Sequence, residues 1–488
     1  MIGSTASVAR QTLAYATGSV VGGISRAVLL FVIARRLAPE DFGVLSLLLA
    51  TTNFLHLVFE AGLVTALIRT HHRTESEDER RQLRVAIFRA LPALDLLLLI
   101  PVLIAREGIS QVLFGTPEHG GGVAIAAGIA FFAAQFQLYL GHLRALDRAR
   151  DFAWMMAAKG VISLSVTLYL VFGRGLGIEG FLLGNLAGPA TIALLAIPRL
   201  LLRARGAGSG APPRLRPLLA FGLPLVPSAL GLWALSYLDG WLLRVFADLH
   251  AVGVYSFASE ICLPLALLVT SIQLAWPSFS FSRPRDREGA EGIARVYRHL
   301  FVVLAGGGLA IAVLRREVLV VLSAQAFDAS VRVIPWLVLA TVLYAASQAF
   351  STGLQIAGDT RRLPFLVGAA ALTNAGLNAW MIPIWRESGA AIATVITNVL
   401  LCALVLVESH RQYRVPFEVL RLGRTLLAAG TVFAAGELVG DVSFPAGLAI
   451  RVPLLALFPL LLLPFRAVAP QELARLPSVV AQVARRAA

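Results

Sequence analysis

The sequence is short of what a water-soluble protein carries on its surface. Charged residues make up 14% of its 488 positions, against about 25% in soluble domains. Lysine is nearly absent: 41 of the 42 basic residues are arginine, and Lys159 is the single lysine. The two cysteines, Cys262 and Cys402, sit in apolar runs, which excludes a disulfide framework and a cysteine metal site. No zinc-type histidine pair, nucleophile elbow or phosphate-binding glycine loop occurs, so no catalytic and no metal residue is assigned and no cofactor is expected. Polar stretches are brief, the longest being Arg69–Arg84, Arg199–Pro217, Pro277–Arg298 and Glu408–Arg424. A large soluble domain has no room.

What is present is apolar sequence, 58% of the chain. A single core in water could not bury that much, and a bilayer is the natural solvent for it. Spans of about 20 apolar residues are predicted at 12–34, 43–67, 85–105, 121–142, 153–173, 176–198, 218–238, 251–275, 298–314, 331–355, 363–384, 389–408, 421–438 and 444–465. The fold class expected is therefore an all-α polytopic membrane protein of about 14 transmembrane helices. The first span contains Arg26 and no cleavage site follows it, so it reads as a retained helix rather than a signal peptide. The net charge of +14 could point to nucleic acid, but the arginines lie in short runs between apolar stretches. With the N-terminus inside, 29 basic residues fall on the cytoplasmic side, 10 outside and 3 within spans. That is the bias expected of membrane orientation, and it places both termini in the cytoplasm.

The chain also repeats itself. Phe42-Gly43-Val44-Leu45-Ser46 opens the second span and Val252-Gly253-Val254-Tyr255-Ser256 opens the eighth. Gly141 and Asp147-Arg148-Ala149-Arg150 match Gly353 and Asp359-Thr360-Arg361-Arg362, and Gly177 matches Gly389 at the same shift. Six spans separate each pair, which implies a parallel repeat related by a pseudo-twofold along the membrane normal. The division that follows is an N-terminal six-helix lobe over 1–205, a linker over 206–217 and a C-terminal six-helix lobe over 218–410. Residues 411–488 form two further spans and a tail.

Particular runs resemble a known family. Phe221-Gly222-Leu223-Pro224-Leu225-Val226-Pro227 opens span 7, followed by Asp239 and the Val252–Ser256 run. Later come Gly353-Leu354-Gln355-Ile356-Ala357-Gly358-Asp359, Asn374-Ala375-Gly376-Leu377-Asn378 and Ser388-Gly389-Ala390-Ala391-Ile392-Ala393-Thr394. In the first half, Ala34-Arg35-Arg36-Leu37-Ala38-Pro39-Glu40-Asp41-Phe42-Gly43 and Ala61-Gly62-Leu63 belong to the same pattern. Together they resemble the polysaccharide-exporter branch of the multidrug/oligosaccharidyl-lipid/polysaccharide (MOP) flippase superfamily. One departure is Gly240, where the family often has arginine after the span-7 aspartate; Arg244 is the candidate replacement. The resemblance implies a two-lobed bundle in the bacterial inner membrane. It implies flipping of a polyprenyl-pyrophosphate-linked oligosaccharide from the cytoplasmic to the outer face for surface polysaccharide biosynthesis.

Such a cargo needs cations for its pyrophosphate and hydrogen bonds for its sugars. Charges inside spans are costly and are functional candidates by default. Arg26, roughly 12 Å deep at 1.5 Å per residue, is the first candidate head-group contact. Glu60, Lys159, Asp239, Arg244 and Glu260 complete the charged set. For Glu60 and Glu260 plain ion pairing competes with function; for Lys159, snorkelling to the surface; for Asp239 and Arg244, an exposed interfacial pair. Asp95 with Arg89 reads as a local structural pair, and His71 and His72 as solvated. Gln273, Gln355, Asn378 and Asn398 are candidate sugar contacts, with helix-to-helix hydrogen bonding as the competing reading. Gly430, Ala434, Ala435 and Gly436 let the added spans pack closely.

The expected partners are the lipid-linked substrate, membrane lipid and polysaccharide polymerase or export machinery, with the chain itself a monomer and no nucleic acid bound. H+ or Na+ is the candidate coupling ion. A lipid II flippase and a cation-coupled multidrug extruder remain open as alternatives. A polytopic glycan polymerase or ligase is disfavoured by the short outer loops.

Overall fold

The computed structural model describes residues 37–203, 215–282, 286–322, 325–358, 361–440 and 442–467. The predicted first span, with Arg26, and residues 206–214 of the 206–217 linker lie outside them.

Helix ends follow local chemistry. α1 (Pro39–Glu60) opens with proline, whose fixed φ suits a first turn, and with Glu40 and Asp41 beside the positive end of the helix dipole. It stops because Ala61 and Gly62 both adopt left-handed backbone, φ 48° and 68°. α2 (Leu63–Arg73) resumes beyond that break. α3 (Glu77–Ile104) has Ser76 at its N-cap, accepting from the Glu79 amide, and three acids in its first turn. α4 (Arg106–Phe114), α5 (Gly120–Ala145), α6 (Ala149–Leu168, ending in a π turn over Tyr169–Gly173) and α7 (Gly177–Arg203) follow. After the linker come α8 (Leu215–Gly222), α9 (Val226–Phe246), α10 (Leu249–Ile261), α11 (Leu263–Phe281), α12 (Arg287–Val313) and α13 (Arg315–Val321). The chain closes with α14 (Ser330–Phe350), α15 (Thr352–Ala357), α16 (Leu363–Gln412), α17 (Val419–Leu438) and α18 (Phe444–Leu461). No strand occurs among the described residues.

Ten of these segments are long and apolar enough to cross a membrane, and twelve are if each of two bent pairs counts as one span. The bent pairs turn by 47° within 216–246 and by 52° within 249–273. α16 carries a further break at Arg386, φ 49° and ψ −130°. There the chain reverses so tightly that a Cβ on Gly389 would lie 2.4 Å from the Met381 carbonyl oxygen. Its two arms coincide with the predicted spans 363–384 and 389–408. The ninth span begins at Arg287, eleven residues before its predicted start, because Asp286 caps the Gly289 amide at 2.8 Å. Phe365, Leu372 and Leu97 face outward, as side chains facing acyl chains do.

The contacts divide the chain into two units, through Arg244 and from Val245 onward. In the first, α5 is the hub, packed by α1, α2, α3, α4 and α7. α7 lies almost on the backbone of α6: a Cβ on Gly184 would fall 1.9 Å from Thr167 Oγ1, and one on Gly188 2.3 Å from Ser163 Oγ. Small residues permit that approach. In the second unit the hub is α14, packed by α10, α12 and the second arm of α16. Helix starts also recur: Pro39, Glu77 and Gly120 open helices, and so do Leu249, Arg287 and Ser330, 210 positions further on.

Sequence reading puts the division in the 206–217 linker, whereas the contacts place it after the seventh span. Trp233 lies on the first-unit side of that boundary. Its indole donates to the Ala50 carbonyl at 3.1 Å and its ring meets Phe54 edge-on at 5.2 Å, seating α9 on α1.

Candidate functional site

Two interiors carry the chemistry, one in each unit. In the first unit Glu60 is the last residue of α1, partway along a span that continues to Arg73. Its carboxylate lies 3.8 Å from His56 Nε2, one helical turn earlier. Lys159, on α6, lies close enough to act on His56 electrostatically, and Arg144, at the end of α5, on Glu60. The Lys159 ammonium stands 5.9 Å from the Phe136 ring centroid on α5. Lys159 is half-buried. An acid, an imidazole and a lysine are thus gathered on α1 and α6, in a setting where each charge is costly, while Arg144 acts on the acid from an exposed position at the end of α5.

The break beneath Glu60 is itself a docking point. A Cβ on Gly62 would lie 2.4 Å from the Gly222 carbonyl oxygen, and one on Gly222 2.5 Å from that of Ala61. Arg69 stacks over Phe221, 4.1 Å from its centroid. The Ala61-Gly62-Leu63 and Phe221-Gly222 runs, read from the sequence as separate pieces of a pattern, are therefore one contact.

In the second unit, Gln273, Gln348 and Gln355 converge on a cavity of about 120 Å³ with Trp276 and Tyr297. Trp276 is fixed by donating to Thr352 Oγ1 at 2.7 Å, and Gln355 by donating to Ser351 Oγ at 2.8 Å. Gln273 Nε2 and the Tyr297 hydroxyl are buried without a hydrogen-bond partner. Buried amides and hydroxyls left open in this way are competent to bind hydroxyl-rich ligands. Gln348, in the predicted span 331–355, is not among the candidate sugar contacts; its place in the group comes from folding.

The other candidates fall apart from these groups. Arg26 lies outside the described residues. Asp239 is buried in α9, not exposed at an interface. Arg244 donates from Nε to the Leu113 carbonyl at 3.1 Å, so it caps the C-terminal end of α4, and the exposed Asp239–Arg244 pair is corrected accordingly. Glu260 is half-buried, one residue before the end of α10, beside the 52° bend. Asn378 donates to Asn374 within its own helix at 3.0 Å, and Asn398 to the Ala340 carbonyl of α14 at 3.1 Å. Asn398 serves packing.

Two other expectations are corrected. Asp95 accepts from Gln135 on α5 at 2.6 Å instead of pairing with Arg89. His71 is buried, with its carbonyl accepting from Arg80. The sequence reading also missed a set of ion pairs in the second unit: Glu317–Arg451, Glu437–Arg315 at 2.5 Å, Glu418–Arg298, Glu408–Arg362 at 2.6 Å and Asp248–Arg386 at 2.6 Å. Partners up to 138 positions apart leave no local pattern. Outside the spans, burial alone would push the Asp248 carboxyl up. Hydrogen bonds from Arg386 and the Ala251 amide, with the charges of Arg386 and His250, outweigh that and hold it below the usual carboxylate range. Among the described residues no three histidine, cysteine or acidic side chains are grouped to hold a metal ion.

No curated protein matches the chain. In fold it is similar to the lipid II flippase MurJ in an inward closed conformation, with a TM-score of 0.71 at 14% identity over 91% of this chain and 97% of that one. It is also similar to an inward-facing MATE-family multidrug resistance transporter of the MOP superfamily, with a TM-score of 0.59 at 16% identity over 79% and 94%. A MATE transporter of Vibrio cholerae gives a TM-score of 0.53 at 15% identity over 85% and 100%. At such identities these likenesses carry the fold alone. Residues 32–332 match the polysaccharide biosynthesis protein family. That match runs from the Arg35-Arg36 segment through the Glu60 break, Lys159 and the first amide of the glutamine pocket; the chain is a multi-pass membrane protein that belongs to the polysaccharide biosynthesis protein family, built on the fold of the MOP flippase superfamily.

Proposed function

We propose that this protein flips a polyprenyl-pyrophosphate-linked oligosaccharide from the cytoplasmic to the outer face of a bacterial inner membrane, supplying surface polysaccharide such as O-antigen, capsule or exopolysaccharide. The observation that carries the reading is the charged interior of the first unit, with Lys159 acting on His56 and His56 3.8 Å from Glu60, in a family of polysaccharide biosynthesis. A pyrophosphate can cross hydrocarbon only where fixed cations replace its hydration. The glutamine pocket of the second unit adds donors and acceptors suited to sugar hydroxyls.

Transport proceeds by alternating access of two lobes, each a copy of the six-span repeat related by the pseudo-twofold. Arg26 joins Lys159 as a head-group contact. The Glu60–His56 pair is the coupling site, with H+ as the ion in preference to Na+, because a carboxylate and an imidazole in a span exchange protons readily. The lipid-linked substrate arrives from a glycosyltransferase and leaves to polymerase or export machinery, and the carrier works as a monomer.

The test is the intermediate that accumulates when the gene is deleted. A lipid-linked repeat unit trapped on the inner leaflet, and its release on complementation, is expected; Lys159→Gln and Arg26→Ala should each restore less than about a tenth of export. Accumulation of undecorated cell-wall precursor instead would move the assignment to a lipid II flippase, a reading favoured by the MurJ-like fold. Drug sensitivity with intact surface glycan would move it to a multidrug extruder.

A further inference from the structure

The first unit holds a second polar feature that the transport reading does not use. A cavity of about 530 Å³ opens between the start of α3, the ends of α5 and α7 and the start of α6. Its volume lies within the roughly 300–1,000 Å³ of small-molecule sites. Four arginines line it: Arg81, Arg84, Arg148 and Arg199. Two acids partly offset them. Glu77 takes Arg84 Nη2 at 3.0 Å and Asp151 takes Arg148 Nε at 2.6 Å. Arg84 Nη1 is nevertheless buried without a hydrogen-bond partner, and so is His142 Nδ1 in the same wall. Arg199 is exposed and pairs with no acid among the described residues. Arg84 and Arg199 therefore leave positive charge at the cavity wall.

Apart from Tyr139 and Thr191 the remainder of the wall is hydrocarbon, including Met155, Ile162, Ile192 and Leu200. Leu146 and Leu195 belong both to this wall and to the exposed apolar surface, 37% and 51% accessible. The cavity thus runs continuously from its arginines to the face that meets acyl chains. Cations at the helix ends and apolar wall toward the bilayer match one kind of molecule, with an anionic phosphate at one end and chains at the other. Basic pockets between span ends are a known class of lipid head-group site.

We propose that this cavity binds an anionic phospholipid from the leaflet that meets these helix ends. Its phosphodiester lies between Arg84 and Arg199, and an acyl chain lies along Leu195 and Leu146. The occupant is a resident of the membrane, separate from the transported cargo. The inference depends on the chain spanning a membrane and not on what it transports.

The test is native mass spectrometry of the full-length protein in detergent, titrated with dioleoylphosphatidylglycerol, and with dioleoylphosphatidylcholine as a probe of equal chains and no net charge. Phosphatidylglycerol should be retained about tenfold more strongly, and Arg84→Gln with Arg199→Gln should erase most of that difference. Arg199→Gln alone, at an exposed position, leaves the fold intact and should still weaken retention several-fold. Leu195→Trp should weaken both lipids by obstructing the chain path. Equal retention of the two lipids, or retention unchanged in the arginine variants, overturns the proposal. Inorganic phosphate displacing the lipid at equal concentration would make the site one for a soluble anion. Displacement by a polyprenyl pyrophosphate in preference to phosphatidylglycerol would make it part of the transport route; either result also overturns it.

Discussion

Removing Arg451 should destabilise the second unit more than any other single truncation of a charged residue there. Arg451 lies within α18 and Glu317 within α13, and both side chains are 5% accessible. The guanidinium bonds Glu317 through Nη1 and the Gly440 carbonyl through Nη2, the latter at 2.7 Å. Glu317 Oε2 is buried without a partner of its own. The room for this pair comes from Gly447, where a Cβ would fall 2.3 Å from Glu317 Oε1. Arg451→Met keeps the stem's volume and strands a buried carboxylate, a loss of about 3–5 kcal/mol. Glu317→Gln with Arg451→Met removes both charges, and replacing such a pair is often near neutral. At roughly 2–4 °C per kcal/mol for a unit of this size, Arg451→Met should unfold about 6–20 °C below the wild type, and the double variant should recover more than half of that. The assay is thermal unfolding in detergent at one scan rate, since such midpoints depend on rate. A single variant within about 2 °C of wild type would refute the reasoning, as would a double variant no better than Arg451→Met.

Three further outcomes are expected. Gly62→Ala places a side chain at φ 68° and against the Gly222 backbone; with about 1–3 kcal/mol from backbone strain alone, folded yield should fall sharply, while Gly231→Ala, where nothing lies within 4 Å of the added carbon, should be tolerated. Gln273→Leu removes an amide from the pocket at similar volume and should cut glycan export about tenfold with the unfolding midpoint unchanged; normal export would remove that pocket from the transport path. The Asp248 carboxyl is held below its usual range, so its contribution is complete above about pH 4, its unfolded value, and is lost as the pH falls further through the lowered folded value. Amide exchange at the start of α10 should therefore accelerate on acidification below pH 4, and Asp248→Asn, which keeps a capping oxygen, should flatten that dependence.

Much of the fold was written locally. The apolar runs locate the spans because a bilayer imposes a length, and the recurrence of short motifs some 210 positions apart reappears as recurring helix starts. Boundaries failed where caps rule: Asp286 starts a helix inside a charged stretch that hydropathy assigns to a loop. The contact between α9 and α1, one indole to one carbonyl, Trp233 to Ala50, likewise has no signature in composition.

The site residues show the same division more sharply. Cost alone singles out Glu60 and Lys159, since a charge in a span is improbable unless something holds it, and both lie in the grouped interior. Cost equally attaches to Arg451, inside the predicted span 444–465, and its partner is Glu317, which lies outside the spans. A buried charge read from sequence therefore announces that a partner exists and says nothing of which. The two groups differ in how the charges are arranged. The pairs of the second unit bring acid and arginine together at hydrogen-bond distance, which locks both. Glu60 and His56 stand 3.8 Å apart, beyond hydrogen-bond reach, an arrangement that leaves the acid and the imidazole able to change partner. A carrier needs the second kind, because a group that must bind and release cargo cannot already be saturated by its neighbours. Distance between opposite charges, and not their presence, is what separates the structural ion pairs of this protein from the residues proposed to move its substrate.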